Sequence, residues 1–424
     1  MTKIAALERM DSKAAIFWAS LLFIFLANIS ISYYGYTKLK EFDYAALDAK
    51  LISSKELKGK DGAPYFSLLF RAPQMDFRTY SKINMRQHEG KYFLATVKTK
   101  NLSFVDLFKP PRLKLESLKS EGQTDIAQQS LKEFIASQHK EEKAGEIYLN
   151  LFLNSEVSPE IEQFISGYGL GAFFAISGLN VALLIAFIFL IITPPFAFLQ
   201  NKFFPYVNRE LWILIPSFLL LLFYAYLTDF TPSFIRAVTA SFILFFFALR
   251  GEEILSYKTL FLTTIVCLAA FPSFLFSIGF WLSFYGVFLI YLFLANITLK
   301  NKALIYVTLS SWLFVAMLPV IHYIFPVFTK AHLLNSLFGA IFDIFYPISL
   351  TAHILGIGWM FDGVILYAIS SSKELIREEF LTPVWFFAFY LILSFAAAFD
   401  KRMFFALNAV IAGYFTGVIF FVYS

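Results

Sequence analysis

Residues 168–184 read YGLGAFFAISGLNVALL, and the nature of the whole chain turns on whether this stretch is a plain lipid-facing helix. It opens the first long apolar segment after a charged region, yet Gly169, Gly171, Ser177, Gly178 and Asn180 interrupt it where Leu, Ile or Phe would suit lipid. Polar groups at membrane depth find no water, so Ser and Asn there need a protein partner or a wet cavity, while Gly permits close helix packing or a local break. Spacing alone leaves a tight helix interface and a water-lined path equally open.

Working outward, composition bounds the answer. A chain of 424 residues that is 58% hydrophobic and 15% charged, with mean hydropathy +0.67, reads as a polytopic membrane protein with a soluble part and excludes an ordinary globular enzyme. Cys267 is the single cysteine and lies in an apolar run, which excludes an intramolecular disulfide and suggests a packing role.

The chain opens with Lys3, Arg9 and Lys13 before an apolar run over 14–36 that is too long for the core of a cleaved signal peptide. The expectation is a retained anchor with a cytoplasmic N-terminus over 1–36, which puts the next region outside the cytoplasm. Over 37–120 no segment is apolar enough to span, and short runs such as PYFSLLFRAP and KYFLATVKT, separated by turn residues, predict a small β-rich barrel or sandwich. Residues 50–114 hold 14 Lys and Arg against 5 Asp and Glu, a local balance of +9.

Arg71, Arg78, Lys82, Arg86, Lys91, Lys98 and Lys100, with Tyr80 and Tyr92 among them, supply cations for phosphates and rings for base stacking. Half of the aromatics (Tyr65, Phe66, Phe70, Tyr80, Tyr92, Phe93) must face the barrel core, because alternate strand residues point inward. A basic surface of this kind also suits anionic lipid headgroups. Residues 121–166 show helical spacing and predict an amphipathic linker, with Pro159 opening a helix after Ser158.

Beyond Tyr168 ten apolar segments follow, at 168–193, 211–228, 232–249, 258–272, 274–297, 303–326, 333–350, 353–370, 383–399 and 403–423. With the anchor this predicts about 11 membrane segments, the channel domain being 167–424. Alternation places Lys202, Arg209, Arg250, Lys258, Lys300, Lys302, Lys401 and Arg402 on the cytoplasmic side, leaving Lys330, Lys373 and Arg377 outside, as the positive-inside rule requires.

Three short motifs in order carry a family resemblance: AISGLNV (175–181), TPSFIRA (231–237) and FPSFLFSIGFWLSF (271–284). The chain resembles the ComEC family of inner-membrane competence proteins, which conduct DNA during natural transformation and carry an OB-like domain where the basic strands lie. Ala172 and Asn180 stand where the family usually has His, and Trp281 where it often has Gln, so roles of those side chains do not carry over. The resemblance implies passage of single-stranded DNA, with Ser177, Gly178, Asn180, Arg236, Gly279 and Ser283 as channel or motif residues, and Asp343 joins them as an acid within an apolar segment.

The same residues have bland readings. Ser177 and Ser283 sit beside glycines and suit close packing; Arg236 suits a pair with an acid such as Asp229 or Asp343, a snorkelling position, or a phosphate contact. His322, His332 and His353 read as satisfied or interfacial, and Asp343 and Asp362 as pairing or pore residues. No P-loop, no H-x-H and no G-x-S-x-G context occurs, so the expectation is a non-enzyme without metal or cofactor, a short form lacking the family's C-terminal metallo-β-lactamase-like nuclease. Expected partners are single-stranded DNA, membrane lipids, a periplasmic DNA receptor, a separate nuclease where one acts, a cytoplasmic ATPase or single-strand-binding protein, and further copies of the chain. The alternative is a secondary transporter or flippase for a small anionic or lipid-linked substrate.

Overall fold

The computed structural model describes residues 12–58, 64–175, 178–203, 206, 209–251 and 256–423. Ser177, Lys3 and Arg9 therefore lie outside the described residues. The chain divides into two compact units, Met1–Gln129 with Thr239–Ile243 and Phe261–Phe280, and the remainder.

The described elements begin with helix α1 (Ser12–Lys40), followed by strands β1 (Tyr44–Lys58), β2 (Pro64–Arg71), β3 (Asp76–Ser81), β4 (Lys91–Lys98) and β5 (Leu115–Thr124). Next come α2 (Ile126–Ala136), α3 (Glu142–Leu153), α4 (Pro159–Gly167), α5 (Gly171–Phe174), α6 (Gly178–Phe203), α7 (Arg209–Leu227), α8 (Pro232–Leu249), α9 (Tyr257–Ala270), α10 (Ile278–Asn296) and α11 (Lys302–Ile324). The short strand β6 (Val327–Phe328) precedes α12 (Asn335–Ile354) and α13 (Asp362–Ser371), and β7 (Glu378–Glu379) precedes α14 (Val384–Ala396) and α15 (Lys401–Tyr423).

In the first unit the five strands form one antiparallel sheet in the order β3-β2-β1-β4-β5. Period-two alternation turns Phe66, Leu68 and Phe70 of β2 and Phe93, Ala95 and Val97 of β4 inward. Phe70 stacks on Phe77 at 5.4 Å between centroids and meets Phe93 edge-on at 6.1 Å, giving the sheet its own aromatic core. Strand β3, DFRTYS, is the strand that run-reading misses, since only Phe77 is apolar on its inner face while the equally buried Thr79 is polar. The β3 edge is covered by the segment just ahead of β5: Arg78 of β3 pairs in parallel with Arg112, its N–H donating to Pro111 O at 2.8 Å and its carbonyl accepting from Leu113 N at 2.8 Å. Such a closure satisfies edge groups that would otherwise template further pairing.

In the second unit the expected segment 168–193 is broken. Helix α4 stops at Gly167, Gly169 takes φ +68°, and a new long helix starts only at Gly178. Gly169 is required there, because a Cβ would lie 2.7 Å from Asn335 Nδ2 and 2.9 Å from His332 Cδ2. Three bonds tie the break to the chain before α12: Thr329 Oγ1 donates to Gly167 O at 2.5 Å, His332 Nε2 to Ser166 O at 2.8 Å, and Asn335 Nδ2 to Gly169 O at 2.8 Å.

A cluster of Ile147, Tyr148, Leu151, Phe152, Phe342 and Tyr346 seats the amphipathic α3 on the middle of α12. A second core joins α10, α11, α14 and α15 around Phe288, Tyr390 and Leu407, with the Tyr390 hydroxyl donating to Ala316 O at 2.6 Å.

Among the described residues six helices are long and apolar enough to cross a membrane, and four more apolar helices are shorter. The segment 353–370 is not one of them. The chain leaves α12 at Ile354, turns through 355–361, and α13 has 10 residues, about 15 Å against a hydrocarbon core of about 30 Å. Strand β5 runs to Thr124, past residue 120, and the helices α2, α3 and α4 follow it. Pro159 occupies the first turn of α4 as expected, but the Ser158 side chain makes no capping bond.

Candidate nucleic-acid interface and channel motifs

On the five-stranded sheet the bridge between β3 and the segment before β5 collects one compact group of side chains. Tyr65 of β2 and Tyr80 of β3 meet edge-to-face at 5.6 Å, and the Arg112 guanidinium sits 5.8 Å from the Tyr80 ring centroid. Arg78 is exposed beside them, its backbone paired with Arg112, and Tyr80 is 43% exposed. An accessible ring with cations around it can stack a base and neutralise its phosphates together. Lys82 is exposed just past the end of β3.

The other sequence-selected residues do not join this group. Lys91, Tyr92 and Lys98 belong to β4, separated from β3 by two intervening strands in the sheet. Arg86 sits in a short turn of helix before β4, and the Lys91 amine lies 3.3 Å from His88 Nδ1. Arg71 is held by Asp76 at 3.1 and 3.2 Å, and Lys100 lies 3.6 Å from Asp43. Lys50, which contributes to the basic count, is 6% exposed, with its amine donating to Gln128 Oε1 at 2.6 Å and 3.5 Å from Asp125. Net charge thus overstates the usable cations.

The second and third sequence motifs meet at Arg236. Before α8 the consecutive residues Asp229 and Phe230 both take positive φ, 52° and 51°. Each costs about 1–2 kcal/mol for a residue with a Cβ. Arg236 lies one turn into α8 and is 3% exposed. Its Nε and Nη2 donate to Ser283 Oγ of α10 at 3.0 and 2.6 Å. Burial overturns the snorkelling reading, and Ser283 serves as an acceptor for a cation rather than as a packing residue. Gly178, the first residue of α6, also faces this guanidinium: a Cβ there would sit 3.7 Å from Arg236 Nη2 and 3.7 Å from Ala237 Cβ. Residues of all three motifs therefore surround one buried positive charge.

Asn180, 1% exposed, has neither side-chain polar atom hydrogen-bonded. Gly279 does not mark close packing, since a Cβ would meet only Ser277 Oγ, at 4.0 Å. Asp343 accepts from the Tyr306 hydroxyl through Oδ2, while its Oδ1 has no partner.

A profile of the competence protein family matches residues 153–422, well over half of the chain and including all three motifs. The chain belongs to the competence protein family. Its place is in DNA uptake during competence, and with its apolar helices it is a membrane protein. No curated protein and no solved structure matches it.

In this competence protein the five-stranded sheet lies ahead of the matched residues, so its reading rests on its own geometry. Two features escaped the sequence. Arg112 counts as one cation among many until the strand closure brings it over Tyr80. His139, His353 and Asp362 lie in separate segments, and only folding of the second unit joins them: His139 Nδ1 is 2.9 Å from Asp362 Oδ1, and its Nε2 is 3.1 Å from His353 Nε2. Among the described residues no three His, Cys, Asp or Glu are grouped to hold a metal ion.

Proposed function

We propose that this protein translocates single-stranded DNA across the inner membrane during natural transformation. The strand is first captured on an OB-type barrel outside the cytoplasm and then passes through the helical channel domain. The supporting strand arrangement is a five-stranded antiparallel sheet whose β1 pairs with both β2 and β4 and whose third strand bridges in parallel to Arg112, just ahead of the fifth. The observation that carries the reading is the exposed Tyr80 with Tyr65, Arg78 and Arg112 around it, the combination of ring and cation that grips unpaired bases without sequence preference. In the channel domain, the buried Arg236 offers the passing polyanion a positive field, held in place by Ser283. The chain performs no chemistry itself, and the pull comes from cytoplasmic partners.

Binding of fluorescent oligothymidylate to the purified full-length protein across a salt series tests the capture step. Tyr80→Ala is expected to weaken binding about 5- to 150-fold, the loss of one stacked base. Replacing Arg78 and Arg112 with Gln is expected to flatten the log–log salt slope by about 1.4, two phosphate contacts on a single strand. Wild-type binding that ignores salt, or variants that bind like wild type, would refute capture on this face.

A further inference from the structure

Tyr148 of α3, His139 just before it and His353 at the end of α12 form a buried group, bordered by the part-exposed Asp362 at the start of α13, that neither DNA capture nor the channel motifs employ. The His139 side chain is 1% exposed and His353 is 2% exposed. His139 stacks on the Tyr148 ring at 4.6 Å, and His353 lies 4.4 Å from the same ring. Gln138 clasps the loop after α12, donating to His353 O at 3.1 Å while its Oε1 accepts from Gly358 N at 2.8 Å. Gly358 has no room for a side chain, because a Cβ would lie 2.7 Å from both Gln138 Oε1 and His353 Nε2.

The hydrogen-bond partners decide the protons. His353 Nδ1 lies 2.8 Å from the Ser349 carbonyl, which only accepts, so that nitrogen carries hydrogen. His139 Nδ1 faces the Asp362 carboxylate at 2.9 and 3.1 Å, and an ionised carboxylate also only accepts. With both Nδ1 atoms protonated, two neutral imidazoles would aim bare lone pairs at each other across the 3.1 Å between their Nε2 atoms. That contact is repulsive unless one Lewis acid lies between. The ring centroids are 5.2 Å apart, more than the nitrogen separation by nearly the two ring radii, so the rings meet end to end as an N–H···N bond requires.

We propose that His139 and His353 bind one shared proton between their Nε2 atoms, making with Asp362 a buried cation site that latches α3 to the α12–α13 turn. The pair carries one positive charge and Asp362 one negative charge, so the group is neutral as a whole and tolerates burial. Tyr148 and Asp362 are the titratable side chains packed on the pair, from α3 and α13. Losing the proton sets lone pair against lone pair; gaining a second sets imidazolium against imidazolium.

The chain has five histidines, so selective labelling with nitrogen-15 histidine resolves the site in full-length protein held in lipid nanodiscs. The expected result is a through-hydrogen-bond coupling between the two Nε2 atoms, lost in Asp362→Asn and in His353→Gln while the signals of His88, His322 and His332 persist. The wild-type spectrum is decisive even if a variant fails to fold. Two unprotonated Nε2 atoms without coupling would overturn the proposal. So would one zinc or copper ion per chain in protein prepared from metal-free buffers, since a metal would then occupy the place assigned to the proton.

Discussion

Arg236 shows how one buried cation organises its neighbours. A guanidinium cannot shed its charge, so in a buried position it demands acceptors, and Ser283 on another helix answers with a hydroxyl at 2.6 Å. Ser283→Ala removes that acceptor and is expected to cost about 1.5–3 kcal/mol of stability, the range for hydrogen bonds to charged groups. Chemical denaturation in detergent would show it, and a midpoint equal to wild type would mean that other groups satisfy the arginine. Motif spacing marked both residues, but not that they touch, because 47 positions separate them. Gly169 and Gly171 look equivalent in sequence and differ in space. Gly169→Ala forces a Cβ onto a φ of +68° and toward Asn335, whereas at Gly171 nothing lies within 4 Å of a built Cβ. The first substitution is expected to destabilise by at least about 1–2 kcal/mol and the second by less than about 0.5 kcal/mol, read in the same denaturation series.

Among the elements, α12 and α13 are where hydropathy and geometry part. Both are apolar, and hydropathy reads them as a spanning pair. Yet the bonds at their ends all return to residues 138–169: His332 and Asn335 before and at the start of α12, His353 and Gly358 after it, and Lys373 beyond α13, whose amine lies 2.8 Å from Glu160. An apolar face can be buried against an amphipathic helix as well as in lipid, and composition does not distinguish the two. Although α12 with the turn before it is one of the six helices long enough to cross, these bonds and the shortness of α13 predict that the pair begins, turns and ends on one side of the membrane, which leaves the alternation of the flanking basic residues intact. In a Cys267→Ala background, Leu355→Cys and Ile376→Cys, both at exposed positions, should react with an impermeant maleimide from the same face. Labelling from opposite faces would restore the spanning pair.

The α3–α4 hairpin beneath them holds a charge cluster with a predictable pH response. Hydrogen bonds from Lys143 and Lys373 keep the Glu160 carboxyl below its ordinary range. A depressed folded value means the stabilisation is complete above the unfolded value of about 4.3 and fades as pH falls through the folded one. Glu160→Gln should flatten the acid side of the unfolding midpoint against pH, while a profile unchanged from wild type would show that the cluster contributes nothing.

Across the whole molecule, the proposed capture and passage steps call on different residues, and the two steps are predicted to be separable in cells. Neutralising Arg78 and Arg112 is expected to reduce strand binding and uptake together. Arg236→Lys, which keeps the charge but loses the fork that grips Ser283, is expected to reduce cytoplasmic entry of labelled DNA while purified protein still binds oligothymidylate like wild type. If both variants lose binding equally, the division of labour fails. The class of this protein was readable without any structure, because mean hydropathy, the clustering of charge and three ordered motifs are properties of composition and order alone. So was the inward turn of half of the strand aromatics, which strand periodicity dictates, but that the inward ones include Phe66, Phe70 and Phe93 came from the fold. Only the tertiary structure decided which cations remain usable, that Arg112 reaches Tyr80, that α12 and α13 return to one hairpin, and that two distant histidines face each other. Those outcomes depend on distances between residues far apart in the chain, and hydrophobic pattern constrains which face is buried without specifying what it is buried against.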